Sequence, residues 1–315
     1  MGSDFLALVG PTASGKTALS LALAERLGGE VVSMDSRQIY RGMDVGTAKV
    51  GRPERARVPH HGLDLVDPDE SYGVGRFTRD ARRWIREIRS RDRVPILVGG
   101  TGFFLRGLTD PIFREPPLDP ERLRSLRAWL RKEPRRKLEA WVRVLDPERA
   151  PVAVEGGPQR VSRALEVALL TGRPLTWWHR SAGPEGEALR GVTVLLELPR
   201  EEMDRRIEAR VEEMLKAGLV TEVRSLLRAG YSPDDPGMTG TGYREVAAHL
   251  RGECTLQEAA ERIRGATCRY ARRQLTWFRN QLRADVLVDA TEALEVQVGR
   301  VVEVWEETGR SGGKR

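Results

Sequence analysis

The stretch GPTASGKT, Gly10 to Thr17, constrains this chain more than any other. It follows a short apolar run, FLALVG, and precedes TALSLALAERLGG, which carries the apolar stripe of an amphipathic helix closed by Gly28 and Gly29. The pattern G-x-x-x-x-G-K-[ST] between strand and helix has a mechanical meaning. Its glycines let backbone N–H groups converge on an anion, with the positive end of the helix dipole behind them. Lys16 adds a point charge, and the Thr17 hydroxyl suits Mg²⁺. The motif specifies a phosphate chain and leaves open whether that chain belongs to ATP.

Strand and helix signals continue to alternate. EVVSMD reads as a second strand, FTRDARRWIREIRSR as an amphipathic helix and VPILVGGTG as a continuous apolar strand. Strands without polar alternation, spaced by helices, predict a parallel sheet covered on both faces. From 114 to 189 the pattern turns helical and arginine-rich, broken by EPPLDP, DPERAP and EGGP; VTVLLEL then restores a strand. Further helices are expected from Glu201 to Arg228 and from Leu256 to Leu282, and the tail TGRSGGKR is expected to lack order. The reading is α/β: a P-loop-type parallel sheet flanked by helices over 1–113 and 190–315, with a helical insertion domain at 114–189.

An ordinary P-loop ATPase places a metal-binding Asp at the end of a later core strand. Here that strand runs out in Gly99-Gly100-Thr101, and the carboxylate stands instead at Asp35, after the second strand. The carboxyl ends of strands in an open α/β sheet face the ligand crevice, so Asp35 and Thr101 should look toward the phosphate loop. Asp35 is then either a base, a ligand behind the magnesium, or a cap on the turn that follows.

The net charge is +7 with a pI near 9.8, which favours an anionic partner. The surplus is concentrated at 263–284, IRGATCRYARRQLTWFRNQLRA, with six arginines, no acid, and Tyr270, Trp277 and Phe278 interleaved. A single-signed stripe with aromatics suits nucleic acid, although the aromatics could equally be core. Only two cysteines occur, Cys254 and Cys268, away from any zinc spacing, and His60–His61 suit a structural role better than a metal. No run reaches the ~20 apolar residues of a membrane span, and the first residues fit neither a signal peptide nor a myristoylation site. A cytoplasmic protein with no membrane association is expected.

In family order, the segments GPTASGKT, SMDSRQIYRGMDVGTAK, VPHHGLD, LVGGTGFFLRGL, PQRVSRALEV, RIEARVEEML, GTGYREV and RRQLTWFR resemble the tRNA dimethylallyltransferases of the bacterial type. The resemblance spans residues 5 to about 283. It implies transfer of a dimethylallyl group from dimethylallyl diphosphate to the N6 amine of the adenosine 3′-adjacent to the anticodon, without ATP consumption. Gly10, Thr12, Ala13, Ser14, Gly15, Lys16 and Thr17 would then hold the diphosphate, with Mg²⁺ as cofactor on Thr17. Asp35 would be the general base, Thr101 would orient the amine or the bridging oxygen, and Arg210 would touch the diphosphate.

The partner implied is the tRNA anticodon stem-loop, bound by a monomer. Its contacts would come from Asp35, Ser36, Arg37, Gln38 and Thr101 beside the reacting base, and from Gln159, Arg160, Val161, Ser162 and Arg163 in the insertion. Gly242, Tyr243 and Arg244, with Arg272, Arg273, Gln274 and Arg279, would add to them. One contact follows LDPE, in a register open among Arg122, Leu123 and Arg124, with Arg124 adopted. The sequence departs from its relatives at Gly62, where Leu often follows the His pair, and the zinc finger that some eukaryotic relatives append is not expected of it. Three alternatives remain: an adenylate isopentenyltransferase acting on free AMP or ADP, a P-loop small-molecule kinase, and a nonenzymatic RNA binder with a nucleotide switch.

Overall fold

The structure, a computed structural model, describes residues 3–110 and 112–311, without the side chains of 309–311. Two compact units emerge, one made of residues 1–110 and 188–315, the other of residues 111–187. The second starts three residues before the expected 114 and ends two before the expected 189.

In the first unit, β1 (Phe5–Val9) leads through the glycine-rich turn into α1 (Lys16–Leu27), which returns to β2 (Gly29–Ser33). A long connection carries α2 (Arg52–Arg57) and the short β3 (His60–His61). Then α3 (Val74–Arg89), β4 (Val94–Gly99) and α4 (Gly102–Thr109) follow. The second unit is helical throughout its described elements: α5 (Pro120–Leu130), α6 (Arg135–Leu145), α7 (Ala150–Glu155), α8 (Pro158–Thr171) and α9 (Leu175–Ser181). The chain re-enters the first unit at β5 (Gly191–Glu197), continues with α10 (Arg200–Lys216), α11 (Leu219–Arg228), α12 (Tyr243–Leu250) and α13 (Leu256–Gln281), and ends with β6 (Val286–Asp289) and α14 (Leu294–Ser311).

The six strands form one parallel sheet in the order β3-β2-β4-β1-β5-β6. All five residues of β1 are buried, as a strand with neighbours on both edges and helices on both faces requires. Val9 pairs with Gly99 and Ser33 with Val98, so the chain leaves β1, β2 and β4 at one level, placing Gly10, Asp35 and Thr101 along the same rim. The core of this unit gathers Phe5, Leu8, Leu23, Ile39, Phe77, Leu105, Ile207 and Phe278. The helical unit packs its own core around Leu130, Val142, Val161 and Leu165.

Three sequence expectations change. The helix read from Glu201 to Arg228 is two helices, because Ala217 and Gly218 turn the chain between α10 and α11. The second strand stops at Ser33, two residues before Asp35, and Gly29 belongs to it rather than to the helix cap. The tail read as lacking order is helical as far as Ser311, and its last four residues, 312–315, lie outside the described residues.

Candidate active site

The turn after β1 is built to present amides. Ala13 and Gly15 take left-handed backbone conformations (φ 67° and 83°), which turn successive N–H groups inward as an anion-binding nest requires. The first amides of α1, at Lys16 and Thr17, have no intrahelical acceptor, as at any helix start. Lys16 folds over the turn, its ammonium donating to the carbonyls of Gly10 (3.0 Å) and Pro11 (2.6 Å) and to the buried Ser14 hydroxyl (3.3 Å). Desolvation, reinforced by the neighbouring Arg210 and only partly opposed by Asp35, brings Lys16 down to about 7 from its ordinary 10.5.

Arg210 reaches this site from α10. Its guanidinium donates to the Thr47 carbonyl at 3.3 Å, and burial lowers its pKa against the opposing pull of Asp35 and Glu213. Lys16, Arg210 and Asp35 thus share one electrostatic environment. A free amphipathic helix would leave Arg210 in solvent, and here α10 instead turns it inward.

Asp35 divides its two oxygens between two tasks. Oδ1 accepts the Arg37 N–H at 2.8 Å, closing the turn that follows β2, while Oδ2 has no hydrogen-bond partner among the described residues. The turn-cap reading is therefore correct for one oxygen, and the other is left for a ligand. Beside it, Thr101 Oγ1 accepts the Ser36 N–H at 3.2 Å, which leaves the hydroxyl proton to donate elsewhere. Gln38 accepts from Ser33 Oγ at 3.0 Å and donates to the Thr47 and Ala48 carbonyls, so it braces the loop. The Arg37 guanidinium is likewise engaged, with the carbonyls of Pro236 (2.7 Å) and Gly237 (3.4 Å).

Gln274, expected at the RNA, is 7% exposed and belongs to the phosphate loop: its Oε1 accepts the Thr12 N–H at 2.9 Å and the Thr12 hydroxyl at 3.3 Å, and its amide donates to the Gly100 carbonyl at 2.8 Å. Tyr243 is 1% exposed and donates its hydroxyl to Glu222 at 2.6 Å, and Gly242 is buried with its N–H on Glu245. Both are held inside the protein here, and of the triplet only Arg244 is exposed. Val161 is 2% exposed and lies in the core of the helical unit.

The arginine stripe on α13 also changes meaning. Arg264, Arg272 and Arg279 pair with Glu208, Asp204 and Glu197, so acids from α10 and β5 neutralise half of it. Arg273 stays exposed, its guanidinium 5.9 Å from the Tyr270 ring, and with Trp277, Thr276 and Asn280 it lines a groove along the helix. Phe278 is core and Trp277 is half-buried, while Tyr270 is 39% exposed. Desolvation, with Asp35 nearby, pushes the Tyr270 hydroxyl up to about 12, placing a residue not chosen from sequence beside the carboxylate. In the helical unit, Arg124, Gln159 and Arg160 are exposed, Ser162 is half-buried, and Arg163 is held by Glu115 at 3.0 Å.

Among the described residues no cluster of three or more His, Cys, Asp or Glu could hold a metal. His61 Nε2 lies 2.7 Å from Glu30, and His60 Nδ1 lies 2.7 Å from the Val58 carbonyl. The exposed Thr17 hydroxyl fits a magnesium ion that keeps most of its oxygen ligands from phosphate and water. No helix of the described residues is long and apolar enough to cross a membrane.

A P-loop-like parallel sheet whose anion cradle shares its surroundings with one half-free carboxylate and a half-buried arginine fits a group transferase. The model of the IPP transferase family matches residues 38–281, and that of the isopentenyl transferases matches residues 3–62. A protein of Halorhodospira halophila described as a tRNA dimethylallyltransferase is 44% identical over 99% of this chain and 100% of its own length. Another so described, from Thermomicrobium roseum, is 45% identical over 89% of this chain and 84% of its own. Among solved structures, a tRNA isopentenylpyrophosphate transferase of Bacillus halodurans superposes with a TM-score of 0.70 at 35% identity, covering 98% of this chain and 99% of that one. A eukaryotic dimethylallyltransferase acting on tRNA gives a TM-score of 0.78 at 25% identity, over 98% and 79%. The chain belongs to the IPP transferase family.

Proposed function

We propose that this chain is a tRNA dimethylallyltransferase, moving a dimethylallyl group from dimethylallyl diphosphate to the N6 amine of the adenosine 3′-adjacent to the anticodon. The observation that carries this reading is Oδ2 of Asp35, without a hydrogen-bond partner among the described residues, in the same surroundings as Lys16 and Arg210. An adenine amine is a weak nucleophile, its lone pair being delocalised into the ring. The allylic donor compensates, because loss of diphosphate leaves a resonance-stabilised cation. The protein's task is to hold the departing charge and aim the amine.

Lys16, Arg210 and the amides of Ala13 to Thr17 take the charge that develops as the allylic C–O bond breaks. The electron pair of that bond leaves with the diphosphate. The N6 lone pair forms the new C–N bond, and its proton passes to Asp35 Oδ2. Thr101 donates its free hydroxyl proton to the bridging oxygen or orients the amine. A magnesium ion on Thr17, when bound, would neutralise part of the diphosphate charge. Exposed cationic side chains, Arg273 in the first unit and Arg124 and Arg160 in the helical unit, supply backbone contacts to the anticodon stem-loop, and Arg244 joins them only by giving up its ion pair with Glu245. The enzyme works as a cytoplasmic monomer.

Incubation with labelled dimethylallyl diphosphate, Mg²⁺ and unmodified tRNA, beside tubes holding AMP or ATP, tests this. Label is expected in tRNA and should fall about 10²–10⁴-fold in Asp35→Ala, the range of a lost general base, while tRNA affinity is retained. Label only in free nucleotide would move the protein to the adenylate reading. ATP hydrolysis without label would return it to a kinase or switch.

A further inference from the structure

Glu222, in the first turn of α11, accepts the backbone N–H groups of Asp44, Val45 and Gly46 at 2.9, 2.7 and 3.1 Å. The Tyr243 hydroxyl donates a fourth bond at 2.6 Å. Among the described residues no cation pairs with this carboxylate; its charge is met by three converging amides and a phenol. A side chain 178 residues away in sequence from Asp44 thus closes the loop after β2, where any local turn could have done so less specifically. The Tyr243 ring packs against that loop: a Cβ on Gly46 would stand 2.6 Å from it, so glycine is required there.

The loop held in this way ends at Thr47, whose hydroxyl donates to the Met43 carbonyl at 2.7 Å and whose own carbonyl faces the active site. That carbonyl accepts from both Arg210 and Gln38 at 3.3 Å. Arg210 is half-buried, and its guanidinium shares the surroundings of Lys16 and Asp35. A continuous path of contacts therefore runs from Tyr243 through Glu222 and the 44–47 loop to Arg210.

We propose that Glu222, braced by Tyr243, is a positioning residue for the diphosphate: it fixes the Thr47 carbonyl that aims Arg210 at the phosphate cradle. The segment GTGYR then acts on the donor side of the reaction, through Tyr243, rather than on the RNA side. The inference rests on the transferase reading for the identity of the donor, and its geometry stands without it.

Glu222→Gln keeps the shape but exchanges one accepting oxygen for an amide that repels the loop's N–H groups. Inorganic diphosphate with Mg²⁺ is the calorimetric probe, and tRNA affinity is measured separately without diphosphate. Diphosphate binding should weaken roughly tenfold, as the loss of a charge-assisted hydrogen bond predicts, with tRNA affinity unchanged within about twofold. Tyr243→Phe, which keeps the ring on Gly46, should shift diphosphate binding in the same direction by about threefold, and it decides the matter if Glu222→Gln fails to fold. In an Arg210→Ala background neither substitution should weaken binding further, because the path ends at Arg210. Additive losses in that background, or a loss of tRNA affinity with diphosphate binding intact, would overturn the proposal. If the transferase reading is wrong, the unsubstituted protein fails to label tRNA while the diphosphate measurements still report on Glu222.

Discussion

Lys16 shows how far one half-buried side chain can be poised by its surroundings. With its ammonium inside the turn and Arg210 beside it, its pKa of about 7 leaves it largely neutral in the free protein at pH 8.5. A diphosphate brings negative charge to the same point and favours the ammonium again, so binding above pH 7 must take up a proton, and binding at pH 6 need not. Calorimetry in buffers of different ionisation enthalpy should show uptake approaching one proton at pH 8.5 and close to none at pH 6. In Lys16→Arg the uptake should vanish, since a guanidinium does not titrate in this range. Stability follows the same linkage. Between about 7 and the ordinary 10.5 the unfolded chain binds more protons at this residue than the folded one, so Lys16 adds stability to the free protein as pH rises through that window. Saturating diphosphate should flatten that rise.

At the scale of elements, the site is a rim made by β1, β2 and β4 and locked from outside by α10, α11 and α13. Gln274 is the clearest lock, since one amide joins α13 to the phosphate turn at Thr12 and to the β4–α4 turn at Gly100. Gln274→Ala would leave the Thr12 N–H and the Gly100 carbonyl unpaired in a largely buried place, a cost of about 1–3 kcal/mol in denaturant unfolding. It should also raise the KM for dimethylallyl diphosphate, with tRNA affinity little changed; a loss confined to tRNA would return Gln274 to the RNA side. The cradle itself was legible in the sequence because Gly10 to Thr17 act through local backbone geometry, which a short motif fixes. Asp35 and Thr101 were legible because strand ends in a parallel sheet share a rim. The locks were not legible: Gln274, Tyr243 and Glu222 owe their roles to partners 174, 21 and 178 residues away in sequence, and no spacing rule expresses such pairings. Tyr270 was legible only as one of the stripe's aromatics, and its nearness to Asp35 was not, for the same reason.

For the whole molecule, the surplus charge counts only where no acid meets it. Counted from sequence, α13 looked like a continuous cationic stripe, yet Asp204, Glu208 and Glu197 arrive from other elements and neutralise half of its arginines. The arginines left to bind phosphate are those such as Arg273 on α13 and Arg124 on α5, exposed and without a carboxylate partner among the described residues. Each phosphate they neutralise releases condensed counterions, so the logarithm of tRNA affinity should fall linearly with the logarithm of salt concentration. Replacing Arg273 or Arg124 by Ala should weaken tRNA binding without regard to sequence and reduce that slope by about one apiece, measured by filter binding across a salt series. Replacing Arg279, already paired with Glu197, should change the slope much less. A full unit lost at Arg279 would mean that RNA outcompetes Glu197 for the guanidinium, and the fixed ion pairs of the free protein would then be no guide to its RNA-binding face.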